Sequence, residues 1–245
     1  LSVLAKIGPS YQRTQSPQEN MSRAESELCI VYEDDRLLVV NKPAGLATMG
    51  VADDQPSLLS QLQRYFSGGG QQEKPFVAIV SRLDFHVSGI VVAAKDPVSA
   101  SHLHSQFAER QVRKVYHALV SAAISPDEAE LIDWLEKSKR NRKVHVVSER
   151  TNETQQARLR YRTLRRVGGV AILRVELLTG RKHQIRAQLA SHGYPILGDY
   201  KYKSPAEFPG GIALVSKRVE FEHPASGAVV AWEIDYPRDW AAFVG

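Results

Sequence analysis

Along most of this chain apolar and polar positions alternate every second residue, and short stretches of helical spacing interrupt the alternation. The runs LCIVYE and RLLVVNK flank the polar pair Asp34–Asp35 and predict a β-hairpin beginning at residue 28. SLLSQLQRYF (57–66) places its apolar residues at helical spacing, with Ser57 as N-cap and a stop at Gly68–Gly70. VAIV (77–80) and GIVVAAK (89–95) predict strands, and Asp96–Pro97 opens a helix running to about Arg110, with Leu103 and Phe107 on one face. VRKVYHALVS (112–121) returns to strand. Further on, Ala157, Leu159 and Tyr161 alternate with Arg158, Arg160 and Arg162 ahead of a Gly168–Gly169 turn, so one face of that strand is apolar and the other guanidinium. KHQIRAQLASH (182–192) predicts a helix closed by Gly193, with Ile185 and Leu189 on one face and His183, Arg186 and Ala190 on the next. ALVSKRVEFEHP and VVAWEIDYP supply the last strands. Residues 1–27, rich in Ser, Gln and Pro, carry no period and read as an irregular arm. Strands dominate without regular strand–helix alternation, which predicts an α+β fold with a mixed, mostly antiparallel sheet, in one domain over 28–245.

Composition narrows the functional classes. With 245 residues, 43% of them hydrophobic, the chain can bury a sizeable core. Lys and Arg total 32 against 27 Asp and Glu, a surplus of +5 that favours a polyanionic partner only weakly. The apolar runs are a few residues long, far short of the about 18 that a spanning helix needs, so no membrane partner is expected. LSVLAKIG at the start has neither the apolar stretch nor the small-residue site of a signal peptide. Cys29 is alone, which excludes an intrachain disulfide and fits a reducing, cytoplasmic setting. The eight histidines make no ligand pair beside carboxylates, and GVADDQ and SGGGQQ lack the spacing of a phosphate-binding loop, so neither metal nor cofactor is expected.

One constellation stands out. Arg82-Leu83-Asp84 follows the strand VAIV, and Val87-Ser88-Gly89 leads into the next strand. Taken alone, an Asp between two strands is more often a turn former. Lys114 and Tyr116, two apart in a strand, share a side, and LLTGRKHQIR sets Arg181 and Arg186 around a strand-to-helix turn. VSRLDFHVSGIVVAAK, KVYHALV and LLTGRKHQIRAQLASHGYPILGDYKY, with the opening VYEDDRLLVVNKPAGLATMG and the closing ALVSKRVEFEHP, resemble in order and spacing the motifs of RluA-family RNA pseudouridine synthases over about residues 28–236.

That resemblance implies an isomerase converting uridine in rRNA or tRNA to pseudouridine without a cofactor; the chain is expected to act as a monomer. It implies Asp84 as the catalytic carboxylate, Arg186 as its partner, and Tyr116 stacked on the target base. Arg82 would enter the RNA where that base has left, and Ile185 and Leu214 would pack beside it. Departures from the family pattern are Ser81, Phe85-His86 and Val87; polar groups lost at Ser81 and Val87 are expected to weaken loop anchoring or alter the RNA loop accepted. An S4-type RNA-binding domain is not expected.

The reaction suits these residue types. The glycosidic bond breaks, uracil turns, and carbon-5 rejoins the ribose; Asp84 either attacks the anomeric carbon or takes the adjacent ribose proton, and an adjacent guanidinium keeps it ionised. The target nucleotide must first be flipped out of structured RNA. Lys114 is expected to bind RNA, and the basic run KSKRNRKVHVVSER (137–150), with Arg140, Arg142 and Lys143, is expected to meet phosphates, as is the Arg158/Arg160/Arg162 stripe. Two other readings compete. An N-glycosidase-like hydrolase would need a second carboxylate near Asp84 to activate water, and none is evident. A catalytically weak RNA-binding module on the same scaffold would not need an intact Asp84, Tyr116 and Arg186.

Overall fold

The computed structural model describes residues 28–52, 55–68, 75–138 and 143–244, so the arm assigned to 1–27 and the helix stop at Gly69–Gly70 lie outside the described residues. The opening hairpin forms as its pattern predicts: β1 (Ile30–Glu33) pairs antiparallel with β2 (Leu37–Lys42). Asp34 closes it, its carboxylate accepting the amides of Arg36 and Leu37 at 2.7 and 2.8 Å. Helix α1 (Leu58–Phe66) starts at Ser57, whose hydroxyl accepts the Ser60 amide while Ser60 reaches back to the Ser57 amide. β3 (Ala78–Ile79) and β4 (Ser88–Ala94) bracket the Asp84 loop, and α2 (Pro97–Ala108) is capped by Asp96.

β5 (Arg113–Ser121), β8 (Gln155–Val167), β9 (Val170–Leu177), α3 (Gln184–Ser191), β10 (Leu214–Glu222) and β11 (Val229–Glu233) fall close to their predicted ranges, and a short α4 (Ala241–Val244) ends the described chain. Two strands were not foreseen, β6 (Glu128–Lys137) and β7 (Val144–Val147), and they pair with each other, so the described part of the basic run includes Lys137 at the end of β6 and all of β7. The sheet runs β1-β2-β4-β10-β5-β9-β8-β6-β7, with β3 on β4 and β11 on β10. Only β4 and β10 pair in parallel among these strands, so the sheet is mixed and mostly antiparallel, as expected. No helix among the described residues is long and apolar enough to cross a membrane.

Both faces of the β2–β4 region are covered, which is why LLVV and IVVAA are unbroken apolar runs. Leu37, Val39, Ile90 and Val92 join the main core with α2 and the central strands, whereas Leu38, Val40, Val91 and Ala93 pack under Leu58 and Leu62 of α1. The parallel β4–β10 pairing sets Gly89 opposite Ser216, and the antiparallel β10–β5 pairing sets that same Ser216 opposite Tyr116. One β10 residue therefore fixes the end of the Asp84 loop relative to Tyr116. Gly89 holds φ +118°, and a Cβ there would lie 2.4 Å from the Ser216 carbonyl oxygen. Gly89→Ala is expected to lower stability by about 1–3 kcal/mol. A leftward shift of the urea midpoint checks this, and an unshifted midpoint contradicts it.

Candidate active site

A cleft of about 1400 Å³ opens between the Asp84 loop, β5 and the start of α3. Asp84 lies in it with 26% of its side chain exposed. Arg186, on the first turn of α3 and nearly buried, donates from Nη1 to Asp84 Oδ2 at 2.6 Å. Its other edge is a fork on Asp199, with Nε to Oδ2 at 2.7 Å and Nη2 to Oδ1 at 2.9 Å. Asp199 is only 1% exposed, so its charge has no solvent and depends on that fork. Burial works against the Arg186 charge, but the hydrogen bonds and charges of Asp199 and Asp84 outweigh it and hold the guanidinium above its ordinary pKa. The ring of Tyr202 lies 5.2 Å from the same guanidinium, and its hydroxyl meets His183 Nδ1 at 3.0 Å. His183 Nε2 stands 3.7 Å from Asp84, but burial pulls its pKa down to about 4, so near neutrality the charged side chain hydrogen-bonded to Asp84 is Arg186 and not His183.

Asp199 is the second carboxylate whose absence was expected to disfavour a hydrolase. It is present, yet both its oxygens are occupied by Arg186, which leaves none to activate water.

Tyr116 and Lys114 share the cleft wall, as their spacing in β5 predicts. Tyr116 is 8% exposed and its phenol is pushed up to about 12, chiefly by burial, so the ring stays neutral. Arg82 is exposed at the rim beside Phe85, which is 50% exposed. Ile185 and Leu214 are placed differently from the expectation: both belong to the main core cluster and neither lines the cleft. The helical phase explains Ile185, since turning Arg186 toward Asp84 turns its neighbour into the core. Arg140 and Arg142 lie outside the described residues, and Lys143 sits over the Tyr202 ring at 4.9 Å. The arginine stripe of β8 lies apart from the cleft. Arg158 and Arg160 both ion-pair with Glu130 across the β6–β8 ladder, at 2.5 and 2.8 Å, and none of the three arginines lines the cleft.

The cleft itself carries the positive field. Eight Lys and Arg side chains line it against the two carboxylates Asp84 and Asp199, with Arg82, Arg181, Lys182 and Lys201 around its mouth.

What holds the Asp84 loop was not legible in the sequence. The segment after β2 grips both neighbours of Asp84. Thr48 Oγ1 donates to the Leu83 carbonyl at 2.7 Å and accepts the Leu83 amide at 3.2 Å, while the Gly45 amide donates to the Phe85 carbonyl at 2.8 Å. Lys42, 0% exposed, donates to the carbonyls of Pro43 and Leu46 at 2.7 and 2.8 Å and approaches that of Phe85 at 3.4 Å. Burial pulls its ammonium down to about 7, against the opposing charge of Asp84. Ser81 accepts the Val92 amide at 3.1 Å and Val87 is buried in the core, so the departures at these positions do not leave the loop loose. Thr48→Val keeps the shape and removes both bonds to Leu83. It is expected to cost about 1–3 kcal/mol and to lower turnover more than RNA affinity; equal turnover in the two proteins would show that the loop holds without it.

The family described as RNA pseudouridylate synthase matches residues 36–191. The ribosomal large subunit pseudouridine synthase D of Pseudomonas aeruginosa is 32% identical over 241 residues, covering 92% of this chain and 73% of its own length. The dual-specificity RNA pseudouridine synthase RluA of Vibrio parahaemolyticus is 30% identical over 215 residues, covering 80% and 78%. Among solved structures, human RNA pseudouridylate synthase domain containing 4 shares the fold, with a TM-score of 0.71 at 24% identity over 90% of this chain and 94% of that one. With a family match across well over half its length and relatives of this similarity, the chain belongs to the RNA pseudouridylate synthases, enzymes that isomerise uridine in RNA to pseudouridine.

Proposed function

We propose that Asp84 carries out this isomerisation on a uridine flipped out of structured ribosomal RNA, with Arg186 hydrogen-bonded to it as its charged partner and Tyr116 forming the wall against which uracil turns. The observation carrying the reading is the Asp84–Arg186–Asp199 chain in a basic cleft: one accessible carboxylate backed by a guanidinium that is itself anchored. The bond from ribose carbon-1′ to uracil N1 breaks and its electron pair leaves with the base. Asp84 either forms an ester at carbon-1′ or removes the proton from carbon-2′; both routes need it charged. Uracil rotates beside Tyr116, whose flat ring allows in-plane turning and discourages escape. Carbon-5 then bonds to carbon-1′ as the Asp84 ester breaks or its proton returns to carbon-2′, the carbon-5 proton leaves, and N1 takes up a proton, so that atoms balance as an isomerisation requires. Arg82, exposed and planar, fills the stack that the base has vacated.

Ribosomal RNA is preferred because the Pseudomonas relative is named for the large ribosomal subunit, as is the synthase C of Vibrio cholerae, 33% identical over 221 residues. We read residues 28–245 as one catalytic unit acting as a monomer in the cytoplasm; the lone Cys29 fits that compartment. Incubation with large-subunit rRNA carrying tritium at carbon-5 of uridine tests the substrate. Stoichiometric tritium release from one position supports the reading, and release from tRNA alone overturns the choice of rRNA. Deuterium at carbon-2′ separates the two routes, because only proton abstraction slows with it.

A further inference from the structure

Beside the catalytic cleft lies a second cavity of about 410 Å³, and the two share Phe107, Arg110, Lys114, Leu177 and Thr179. Lys114 stands at the junction. Its ammonium lies 5.4 Å from the centre of the Phe107 ring, and Gly180 across from it leaves room, with a Cβ built there reaching only to 3.4 Å from Nζ. Among the described residues no carboxylate ion-pairs with Lys114, and burial alone lowers its pKa. Glu176 also lines the side cavity, but it is already held by Arg113 at 2.8 Å and Arg174 at 2.5 Å. Arg110 faces both cavities from the end of α2, exposed, with a backbone held at φ +62°. A half-desolvated cation without a counter-ion, joined by a second free-standing one at the mouth of a side cavity, is an arrangement that an anion completes.

We propose that this side cavity is a backbone-phosphate subsite, in which Lys114 and Arg110 hold the phosphate flanking the nucleotide whose base lies against Tyr116. The position follows from β5. Lys114 and Tyr116 are two residues apart on one face, about 7 Å along the strand, so a base on the tyrosine brings its own backbone to the lysine. The subsite rests on the rRNA-modifying reading above and adds where the strand leaves the cleft: past α2 and the β9 end, away from the Asp84 loop.

The test is binding of the rRNA fragment that contains the mapped uridine, with the Asp84→Asn background preventing turnover. Lys114→Met and Arg110→Gly should each lower the slope of log affinity against log salt by about 0.7–0.9, the share of one phosphate contact, and Lys114→Arg should restore it. Glycine suits the left-handed backbone at Arg110, so that variant keeps the fold even if Lys114→Met does not. Phosphate-ethylation interference should show one phosphate next to the target uridine that ceases to matter in both variants while the others persist. Unchanged slopes with an unchanged interference pattern overturn the subsite alone. Failure of the parent protein to bind the fragment overturns the rRNA reading together with it.

Discussion

Asp84→Asn should reduce pseudouridine formation by at least about 10³-fold while leaving the fold and RNA binding in place. Asparagine fills the same volume and can still accept the hydrogen bond from Arg186 Nη1, and Asp199 continues to hold the other edge of the guanidinium. What is lost is the charge and nucleophilicity that either route demands. Because Asp84 is partly exposed, its replacement leaves no desolvated orphan, and the thermal midpoint should move little. The measurement is single-turnover tritium release beside a melting curve. Turnover within tenfold of wild type would remove Asp84 from the chemistry; a collapsed melting curve would mean that the loss reports structure instead.

Arg186 should show the opposite balance. Arg186→Met strands the buried Asp199 carboxylate and is expected to cost about 3–5 kcal/mol, enough to lower the melting temperature by about 6–20 °C. Adding Asp199→Leu should return most of that stability, since the uncompensated charge is gone, and should return none of the activity, since Asp84 still lacks its guanidinium. Arg186→Lys should fold but turn over poorly, because a point charge cannot span both carboxylates with fork geometry. A double variant as unstable as Arg186→Met would refute the role given to Asp199, and an active one would refute the role given to Arg186.

How much of this was legible beforehand follows from what each feature depends on. Strand and helix ranges were readable wherever one face was apolar, as in β5, β8 and α3. β6 escaped because its two buried residues, Leu131 and Leu135, stand four apart, a spacing that does not look like a strand. Asp84, Arg186 and Tyr116 were reached through ordered motifs. Asp199 and Tyr202 were not, although GDYKY was in view, because only the closure of that segment onto α3 turns an acidic turn residue into the anchor of a guanidinium. Lys42 was missed for another reason: a lysine ending an apolar strand reads as the point where the chain meets water, and here it meets three carbonyls instead.

The fork on Asp199 has a bearing on how charge is conserved through the catalytic cycle. On either route proposed for Asp84, it becomes neutral for part of the reaction, as an ester or as a carboxylic acid. Were Asp84 the only counter-ion of Arg186, that moment would expose a solitary cation in a nearly buried site. With Asp199 permanently attached, the triad passes from a net charge of minus one to an ion pair that balances itself. The intermediate is thus the electrically quiet state of the site, and the negative charge released with uracil meets lysines and arginines at the mouth without competition from within.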